Sequence, residues 1–516
     1  MNVPVQRAMA AADNDDLGLP EPAEPLRPLG GRQYAFWILQ QLEPGSSVAN
    51  LGIAFRTTRA LRWWPLHAAV NHLIGRHPAL RTRFPAAAGV PLRHVSAASD
   101  VQLTVDVSPA TDDDLAARVH EALKLPFDLA RDLPLRVTLF PLSDGGSAVL
   151  LAVHHAVSDA ASLALLVTEL CGVYDGIAGG GIPEELLPEV PAAAEPRPRP
   201  SDSSFWAEHL RGVDTAQAVL PWARPDPARP TFAGATMVSP LAPETVEAMA
   251  ALRRANCGTD NIILLAAYYL ALFRHGAGPD LVVGVPVTSR GSGAVTSAAN
   301  GGSGGLTSVG FEISTLPLRI ILDPDAGFAA LARQVRDVFL AGAQHAVVSV
   351  EQVLAELGHH SPDWRVPLFR YLFSYRPWDD SDLRIGGERG ESVDILREDS
   401  RLDLQLAVLS YHQPPLLMAN YSTEVHDEAG IAALVDRMQA LLRAAAADPA
   451  CPVRDLDMAT DDERAVMGAA NSTRRQVRPD RTVLAQFMAA AQADPAAATI
   501  LIRRPTLSPI PTPGIV

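Results

Sequence analysis

The sequence has few cysteines. Only three of its 516 residues are cysteine (Cys171, Cys257 and Cys451), and they lie far apart with no C-x-x-C spacing. A zinc site needs closely spaced thiolates or imidazoles, and a disulfide framework needs paired cysteines in an oxidising compartment. The sequence therefore predicts neither, and it is typical of a protein from a reducing compartment such as the cytoplasm.

Membrane-spanning runs and excess positive charge are also missing. No apolar segment reads as an uninterrupted span, and no basic region followed by a short apolar region opens the chain as in a signal peptide. The 58 acidic side chains outnumber the 43 basic ones, which gives a formal net charge of −15. This balance disfavours nucleic acid and anionic membranes as partners. We expect a cytoplasmic protein that binds neither.

Composition divides the chain into five parts. Residues 1–25, rich in alanine, proline and acidic side chains, predict a disordered tail. Prolines in residues 182–201 break both helix and strand patterns and predict a linker between two lobes, 26–181 and 202–458. Both lobes alternate strand-like and helix-like segments, which predicts an α/β class. Residues 459–516 become polar again, and the chain's end has no core-forming pattern.

Apolar periodicity predicts individual helices and strands within the lobes. Ser162 is placed to cap the third helix. The predicted helices are Gln33–Leu42, Leu66–Leu73, Ser162–Tyr174 and Asn261–Phe273, and the predicted strands are Leu135–Phe140, Ala148–Val153, Asp280–Val287 (parallel in type) and the run "ISTLPLRIIL".

One predicted strand ends at two potentially catalytic histidines. The apolar run Ala148–Val153 leads directly into His154 and His155, and Asp159 follows four residues later. Buried ring nitrogens each need a partner, so a buried strand rarely finishes on two imidazoles by accident. The pair either forms a harmless turn at the surface or holds a general base at a cleft. The spacing H-H-x-x-x-D favours the base.

Further motifs flank this histidine pair on both sides. In order along the chain they are "LIGRHPALRTRF" (73–84), "SFWAEHL" (204–210), "VVGVPVTSR" (282–290), "VGFEISTLPLR" (309–319), "VPLFRYLFSY" (366–375) and "RLDLQLAV" (401–408). Together with the histidine motif, this series resembles the core motifs of condensation domains from nonribosomal peptide synthetases, over about Leu26–Met458. The stretch "ANSTRRQVRPDRTVLAQFMAAAQADP" beyond it resembles the linker and first helix that lead into an adenylation domain.

The resemblance implies a chloramphenicol-acetyltransferase-like fold. Two similar lobes would form a V-shaped pseudo-dimer with a central tunnel that leads to the histidine motif. Donor and acceptor carrier proteins would deliver an acyl or peptidyl thioester and an aminoacyl thioester on their phosphopantetheine arms. The chain would hold no cofactor or metal of its own, and it would act as a monomeric unit of a larger synthetase.

The resemblance also implies roles for the motif residues. His155 would accept or orient the proton of the attacking amine, and an ordinary pKa near 6.5 would leave its imidazole mostly neutral. His154 would support the turn. Asp159 would pair with an arginine and lock the loop, with Arg290 the preferred candidate and Arg76 the alternative.

Two positions depart from the family pattern. Ala160 stands where glycine usually follows the motif aspartate, and Ser314 stands where asparagine is usual in the "TLPLR" motif. Glycine permits backbone angles that alanine resists, so the turn is expected to differ locally. Substrate class stays open.

Several alternatives remain beside a peptide-forming condensation domain. One alternative is a starter-type domain that N-acylates its acceptor. Another is a degenerate platform that only docks carriers or recruits an enzyme. A coenzyme A-dependent acyltransferase is disfavoured because the chain runs on into an adenylation-type linker. An epimerization domain is disfavoured by the form of "GFEISTLPLR", and a heterocyclization domain is excluded by His154 and His155, since aspartate replaces these histidines there.

Overall fold

The computed structural model describes residues 19–181, 189–190, 199–214, 218–288, 296–297, 308–348, 368–376, 383–393, 395–410, 412–472 and 482–494. Most of the predicted tail, most of the linker 182–201, Arg290, most of the glycine-rich loop that follows it and residues 495–516 lie outside this set. Every helix and strand predicted above is present, with ends shifted by at most four residues.

Helices and strands alternate through both halves of the chain. The helices are α1 (Gly31–Leu42), α2 (Trp63–Arg76), α3 (Leu115–Leu123), α4 (Ala160–Ala178), α5 (Pro200–His209), α6 (Pro243–Arg254), α7 (Asp260–Arg274), α8 (Phe328–Gln344), α9 (Glu428–Ala447), α10 (Asp461–Asn471) and α11 (Val483–Ala493). The strands are β1 (Arg27–Pro28), β2 (Asn50–Thr57), β3 (Thr82–Arg83), β4 (Ala86–Ala87), β5 (Val90–Val95), β6 (Asp106–Val107), β7 (Leu135–Pro141), β8 (Ser147–His154), β9 (Gly234–Pro240), β10 (Asp280–Thr288), β11 (Thr296–Ser297), β12 (Ile313–Ile321), β13 (Tyr371–Arg376), β14 (Arg384–Ile385), β15 (Glu388–Arg389), β16 (Glu391–Val393), β17 (Leu404–Leu409) and β18 (Leu416–Ser422).

The first half is built around a five-stranded sheet in the order β16-β2-β8-β7-β6. Central strand β8 is buried at all eight positions, as the unbroken apolar run predicts. Because side chains alternate across a strand, Val149, Leu151 and Val153 pack into the core that α2 and α4 cover, whereas Leu150 and Ala152 pack into a second core on the α3 face. The strand is therefore fixed from both sides where it delivers the histidines.

Helix α4 is apolar on nearly all sides. By length and composition it is the one candidate for a membrane span among the described residues, although the sequence pattern predicted none. Half of that apolar window is buried, and Leu166 and Leu170 are fully buried in the core of the first half. Its apolar character thus reflects burial in protein.

The second half contains a seven-stranded mixed sheet, in the order β11-β10-β13-β17-β18-β9 with β12 also paired to β10. Strand β10 was predicted as parallel in type. It is antiparallel to β12 along its whole length and parallel to β13 only at Val283 and Gly284. Helices α7, α8 and α9 pack on this sheet and α6 packs on α7 and α9, while α7 supplies an almost continuous run of fully buried side chains.

The second half contributes a strand to the sheet of the first half. Strand β16, which the sequence assigns to the second lobe, pairs antiparallel with β2 as the edge of the first sheet. Nearby, Ile385 is buried in the first core, and the Gly386 N–H donates to the Asp175 carboxylate at 2.6 Å. Sequence pattern misses this pairing because an edge strand looks the same whichever sheet accepts it.

The N-terminal boundary also differs from the prediction. The tail was expected to be disordered through residue 25, but Pro22 bridges to Ser96 and the Ala23 N–H donates to the Val95 carbonyl at 2.7 Å. Backbone hydrogen bonds to the end of β5 offset the entropy of ordering these residues. Residues 1–18 lie outside the described set.

A buried carboxylate joins α5 to the end of α8. Asp202 is fully buried, accepts hydrogen bonds from Arg199 and lies 2.8 Å from His345 Nδ1. The hydrogen bonds from Arg199 contribute most to lowering the pKa of the Asp202 carboxyl. A lowered folded-state pKa means that the charged form stabilises the fold above the unfolded pKa of about 3.9, and this contribution is lost as the pH falls through the folded value.

We therefore expect Asp202→Asn to lower the melting temperature at pH 7. The difference from wild type should hold down to about pH 5 and shrink below about pH 4, where the Asp202 carboxyl of the unfolded wild-type chain begins to bind a proton that the folded protein does not. Thermal melts between pH 3 and pH 7 measure this, with Asp337→Asn, on an exposed surface of α8, as the control. A difference that stays constant down to pH 3 would contradict the assignment.

Candidate functional site

The candidate site lies where β8 ends. His154 is the last residue of the strand, paired with Asn50 of β2, and the backbone N–H of His155 donates to the Ala49 carbonyl at 2.8 Å. Burial of β8 on both faces leaves this end of the strand little freedom. The two imidazoles therefore lie at the end of a strand, β8, whose position is fixed by burial on both faces.

The ring of His155 has a defined protonation. Its Nδ1 lies 2.8 Å from the carbonyl oxygen of Ser158. A carbonyl oxygen only accepts hydrogen bonds, so Nδ1 carries the proton and Nε2 of the neutral ring carries the lone pair. No donor among the described residues hydrogen-bonds to Nε2, which leaves that lone pair available to take a proton.

Two aromatic rings enclose His155. Phe36 of α1 and Phe311 lie with their centroids 5.1 and 5.0 Å from the imidazole. Burial, followed by the positive charge of Arg401, lowers the pKa of His155 to about 3. The sequence predicted an ordinary value near 6.5, and that prediction was wrong because aromatic packing and a distant arginine leave no local pattern. The ring is therefore neutral at pH 7, and it is a weaker base than an ordinary imidazole.

His154 is held differently. Its Nδ1 accepts a hydrogen bond from the Ala156 N–H at 3.1 Å, so the proton of the neutral ring is on Nε2. The side chain is buried between the edges of Phe36 and Phe127. Burial, with His155 as the next contribution, lowers the pKa of His154 to about 3. These contacts support the predicted role of His154 in stabilising the turn.

Asp159 ties this turn to the other half of the chain. The carboxylate is fully buried; its Oδ1 accepts the Ser162 N–H at 2.8 Å and its Oδ2 accepts the Glu312 N–H at 3.0 Å. Asp159 is therefore the N-cap of α4, and the prediction that Ser162 caps this helix was wrong. The Ser162 hydroxyl instead donates to the carbonyl of Gly310 at 2.8 Å and accepts from its N–H at 3.1 Å.

The two arginine candidates have different outcomes. Arg76 pairs with Glu169 of α4, with Nε 3.1 Å from Oε1, and no ion pair joins the described residues Arg76 and Asp159. Arg76 therefore links α2 to α4. Arg290 lies outside the described residues, and its pairing with Asp159 stays a prediction.

The two departures from the family pattern fit without distortion. Ala160 is the first residue of α4, its side chain is exposed, and it is not among the described residues with positive φ. The position therefore has no need of glycine's conformational freedom. Ser314 is buried in β12 opposite Val287, two residues after the Glu312 N–H that binds Asp159.

We expect Ala160→Gly to have little effect on the rate of the reaction at this site. Glycine adds conformational entropy to the unfolded chain and should lower the free energy of unfolding by at most about 1 kcal/mol. Denaturant unfolding and single-turnover rates measure both quantities. A large gain in rate would mean that alanine holds the site in a poor geometry.

Sequence reasoning missed the residues that surround the histidines. Phe36 lies on a predicted amphipathic helix, and Phe311 and Arg401 lie in quoted motifs, yet no local signal marks them as neighbours of His155. The guanidinium carbon of Arg401 lies 5.1 Å from the centroid of Phe36. Only tertiary contacts bring these three together with the histidine.

Known proteins resemble this chain over most of its length. A family model described as "Condensation domain" matches residues 26–467. The "Probable non-canonical nonribosomal peptide synthetase (NRPS) CymA" of Salinispora arenicola is 30% identical over 92% of this chain, which spans 6% of that relative. The "Phosphinothricin tripeptide synthetase PhsC" of Streptomyces viridochromogenes is 28% identical over 86% of this chain and 42% of the relative.

Solved structures show the same fold. The X-domain from teicoplanin biosynthesis superimposes with a TM-score of 0.71 at 26% identity, covering 85% of this chain and 98% of the X-domain. The mixed α/β architecture is therefore that of condensation-type domains. With a family model that covers most of its length, including the histidine turn, α4 and both sheets, this chain belongs to the condensation-domain family.

Proposed function

We propose that this chain forms an amide bond between two thioesters carried on phosphopantetheine arms. The donor is an acyl or peptidyl thioester and the acceptor is an aminoacyl thioester with a free amine. The observation that carries this proposal is the ring of His155, whose tautomer is fixed by Ser158 and whose Nε2 lone pair is available. The two partners are a donor and an acceptor carrier protein, which supply the arms.

The proposed reaction needs one group, His155, to move a single proton from the amine to the leaving sulfur. The amine nitrogen adds to the thioester carbonyl carbon, and the carbonyl π electrons move onto oxygen. His155 Nε2 takes a proton from the nitrogen, the carbonyl re-forms as the C–S bond breaks, and the proton passes to the leaving thiolate. The products are an amide and a free thiol, so His155 ends the cycle neutral.

Two physical effects supply the rate in this proposal. Alignment of amine and thioester contributes on the order of 7–11 kcal/mol in well-oriented cases. A positioned general base contributes about 10²- to 10⁴-fold. The low pKa of His155 keeps the ring free of a proton before reaction and makes it a weaker base than an ordinary imidazole, so it takes the proton only once the nitrogen becomes positively charged and then returns it readily to sulfur.

The proposal includes a route for the substrates. Two lobes arranged as a V would leave a tunnel that reaches His155 from opposite sides, one for each carrier. The cross-links from Asp159 and Ser162 to Gly310 and Glu312 support such an arrangement, because they place chain from both halves beside the histidine turn.

A second candidate is a recruitment platform without transfer activity. The teicoplanin X-domain, to which this chain is 26% identical, has also been solved in complex with OxyB. The fixed tautomer of His155 favours the enzyme, since a docking platform has no need of an available ring nitrogen.

An intact-mass assay separates the two candidates. The chain is mixed with a donor carrier loaded with an acyl or aminoacyl group and an acceptor carrier loaded with an amino acid. The enzyme predicts that the donor group moves onto the acceptor arm, which gains the mass of that group. A mass change that is the same with and without the chain would reject the proposed transfer; a starter-type domain is recognised by acceptance of a fatty acyl donor.

A further inference from the structure

Arg401 shares the aromatic surroundings of His155. Its guanidinium carbon lies 5.1 Å from the centroid of Phe36, and the same ring lies 5.1 Å from the imidazole of His155. Phe36 is itself buried, and the charge of Arg401 acts on the imidazole of His155, where it lowers the pKa. Charge acts over a longer range there than in water.

Asp399, whose negative charge raises the pKa of Arg401, already forms hydrogen bonds with other groups. Asp399 Oδ1 accepts hydrogen bonds from Arg397, at 2.9 Å from Nε and 2.7 Å from a terminal nitrogen, and its Oδ2 accepts from the Ser47 hydroxyl at 3.1 Å. Arg397 donates a further hydrogen bond to the Val48 carbonyl. Asp399 is thus committed to other groups.

The positive charge of Arg401 has no hydrogen-bonded or ion-paired partner among the described residues. Within the part of the chain that the structure describes, its guanidinium makes no hydrogen bond and no ion pair, although the side chain is only partly exposed. Burial lowers the pKa of Arg401 to about 10, so the group remains a cation at pH 7. A partly desolvated cation without a partner is costly, and a bound anion would offset that cost.

The proposed reaction forms an anionic oxygen close to His155. As the amine adds to the thioester, negative charge develops on the carbonyl oxygen within reach of the base that takes the amine proton. Preorganised donors aimed at that oxygen stabilise the transition state more than the ground state. A carboxylate on the donor or acceptor would present the same anionic oxygen permanently.

We propose that the guanidinium of Arg401 binds an anionic oxygen of the substrates beside His155. The developing oxyanion is the first source, and a substrate carboxylate is the second. This inference rests on the proposed function, since it assigns Arg401 a role in that same transfer. Phe36 is the shared neighbour, with the Arg401 guanidinium carbon and the His155 ring each 5.1 Å from its centroid.

Transfer kinetics distinguish the two sources. Arg401→Met and Arg401→Lys are compared with wild type and with Arg131→Met, whose native side chain is 84% exposed, in single-turnover transfer to alanyl- and aspartyl-pantetheine. For the oxyanion, Arg401→Met should lower the rate at saturating acceptor at least about tenfold for both acceptors, and Arg401→Lys should retain most of it. For a substrate carboxylate, the loss should be confined to the aspartyl acceptor and raise its KM.

A binding readout tests the site apart from transfer. Acetate serves as the probe, and NMR follows the His155 ring in each variant. Acetate should shift this signal in wild type and Arg131→Met but not in Arg401→Met. The assignment would be overturned if Arg401→Met kept wild-type rates with both acceptors, or if its His155 signal still responded to acetate. Either result would leave the proposed transfer standing. Absence of transfer by wild type would instead reject the proposed function.

Discussion

Replacement of His155 by asparagine is expected to slow amide formation by about 10²- to 10⁴-fold, the usual contribution of a positioned general base. The asparagine amide N–H can replace Nδ1 as the donor to the Ser158 carbonyl, which lies 2.8 Å from Nδ1 in the native protein. Asparagine has no group at the position of Nε2. The change therefore removes the base and keeps the turn.

Single-turnover intact-mass kinetics with loaded carriers measure this loss. The melting temperature of His155→Asn should stay close to that of wild type, and His120→Asn, which changes a histidine outside the site, should retain the wild-type rate. Full turnover by His155→Asn would show that proton transfer at Nε2 contributes nothing, and it would leave alignment as the source of catalysis.

Asp159→Asn is expected to lower stability and transfer together. The native carboxylate accepts two backbone N–H groups, from Ser162 and from Glu312. Asparagine has one oxygen and one NH₂ group, and because it is a good N-cap it should keep the bond to Ser162. The Glu312 N–H would then face a second donor in a buried location, which costs about 1–3 kcal/mol.

The expected result is a decrease of that size in the free energy of unfolding, with a slower transfer because the histidine turn loses its hydrogen bond to Glu312, one of its links to the second half. Denaturant unfolding and single-turnover rates report the two effects. Ser162→Ala is the companion variant, since it removes the neighbouring link to Gly310 and keeps the cap on α4, so that the two links are measured separately. An unchanged unfolding free energy in Asp159→Asn would contradict the cross-link.

The secondary structure near the site could be predicted from the sequence because it depends on local pattern. Strand β8 follows from an unbroken apolar run, and burial on both faces follows from the same run. The position of His155 at the end of that strand, and Asp159 just before a helix, are likewise properties of consecutive residues. Ser162 was the exception: two residues near a helix start can serve as its cap, and only the hydrogen bonds identify Asp159.

The electrostatics of the site could not be predicted in this way. The pKa of His155 depends on Phe36, Phe311 and Arg401, which lie more than a hundred residues away along the chain. Desolvation and charge act through space, so no motif around His155 reports them. The partner of Arg76 is a similar case, because Asp159 caps α4 and Glu169 lies within the same helix, and only packing selects Glu169.

The sequence by itself determined that helices and strands alternate along both halves of the chain and that a histidine turn follows a buried strand, because periodicity and motif order are carried by neighbouring residues. The tertiary structure alone decided that β16 joins the first sheet, that Gly310 and Glu312 bind the histidine turn, and that Arg401 is left without a carboxylate beside Phe36. Each of these depends on which distant surfaces meet. That choice is made by the packing of whole cores, where many small contacts add up, and not by any one stretch of chain.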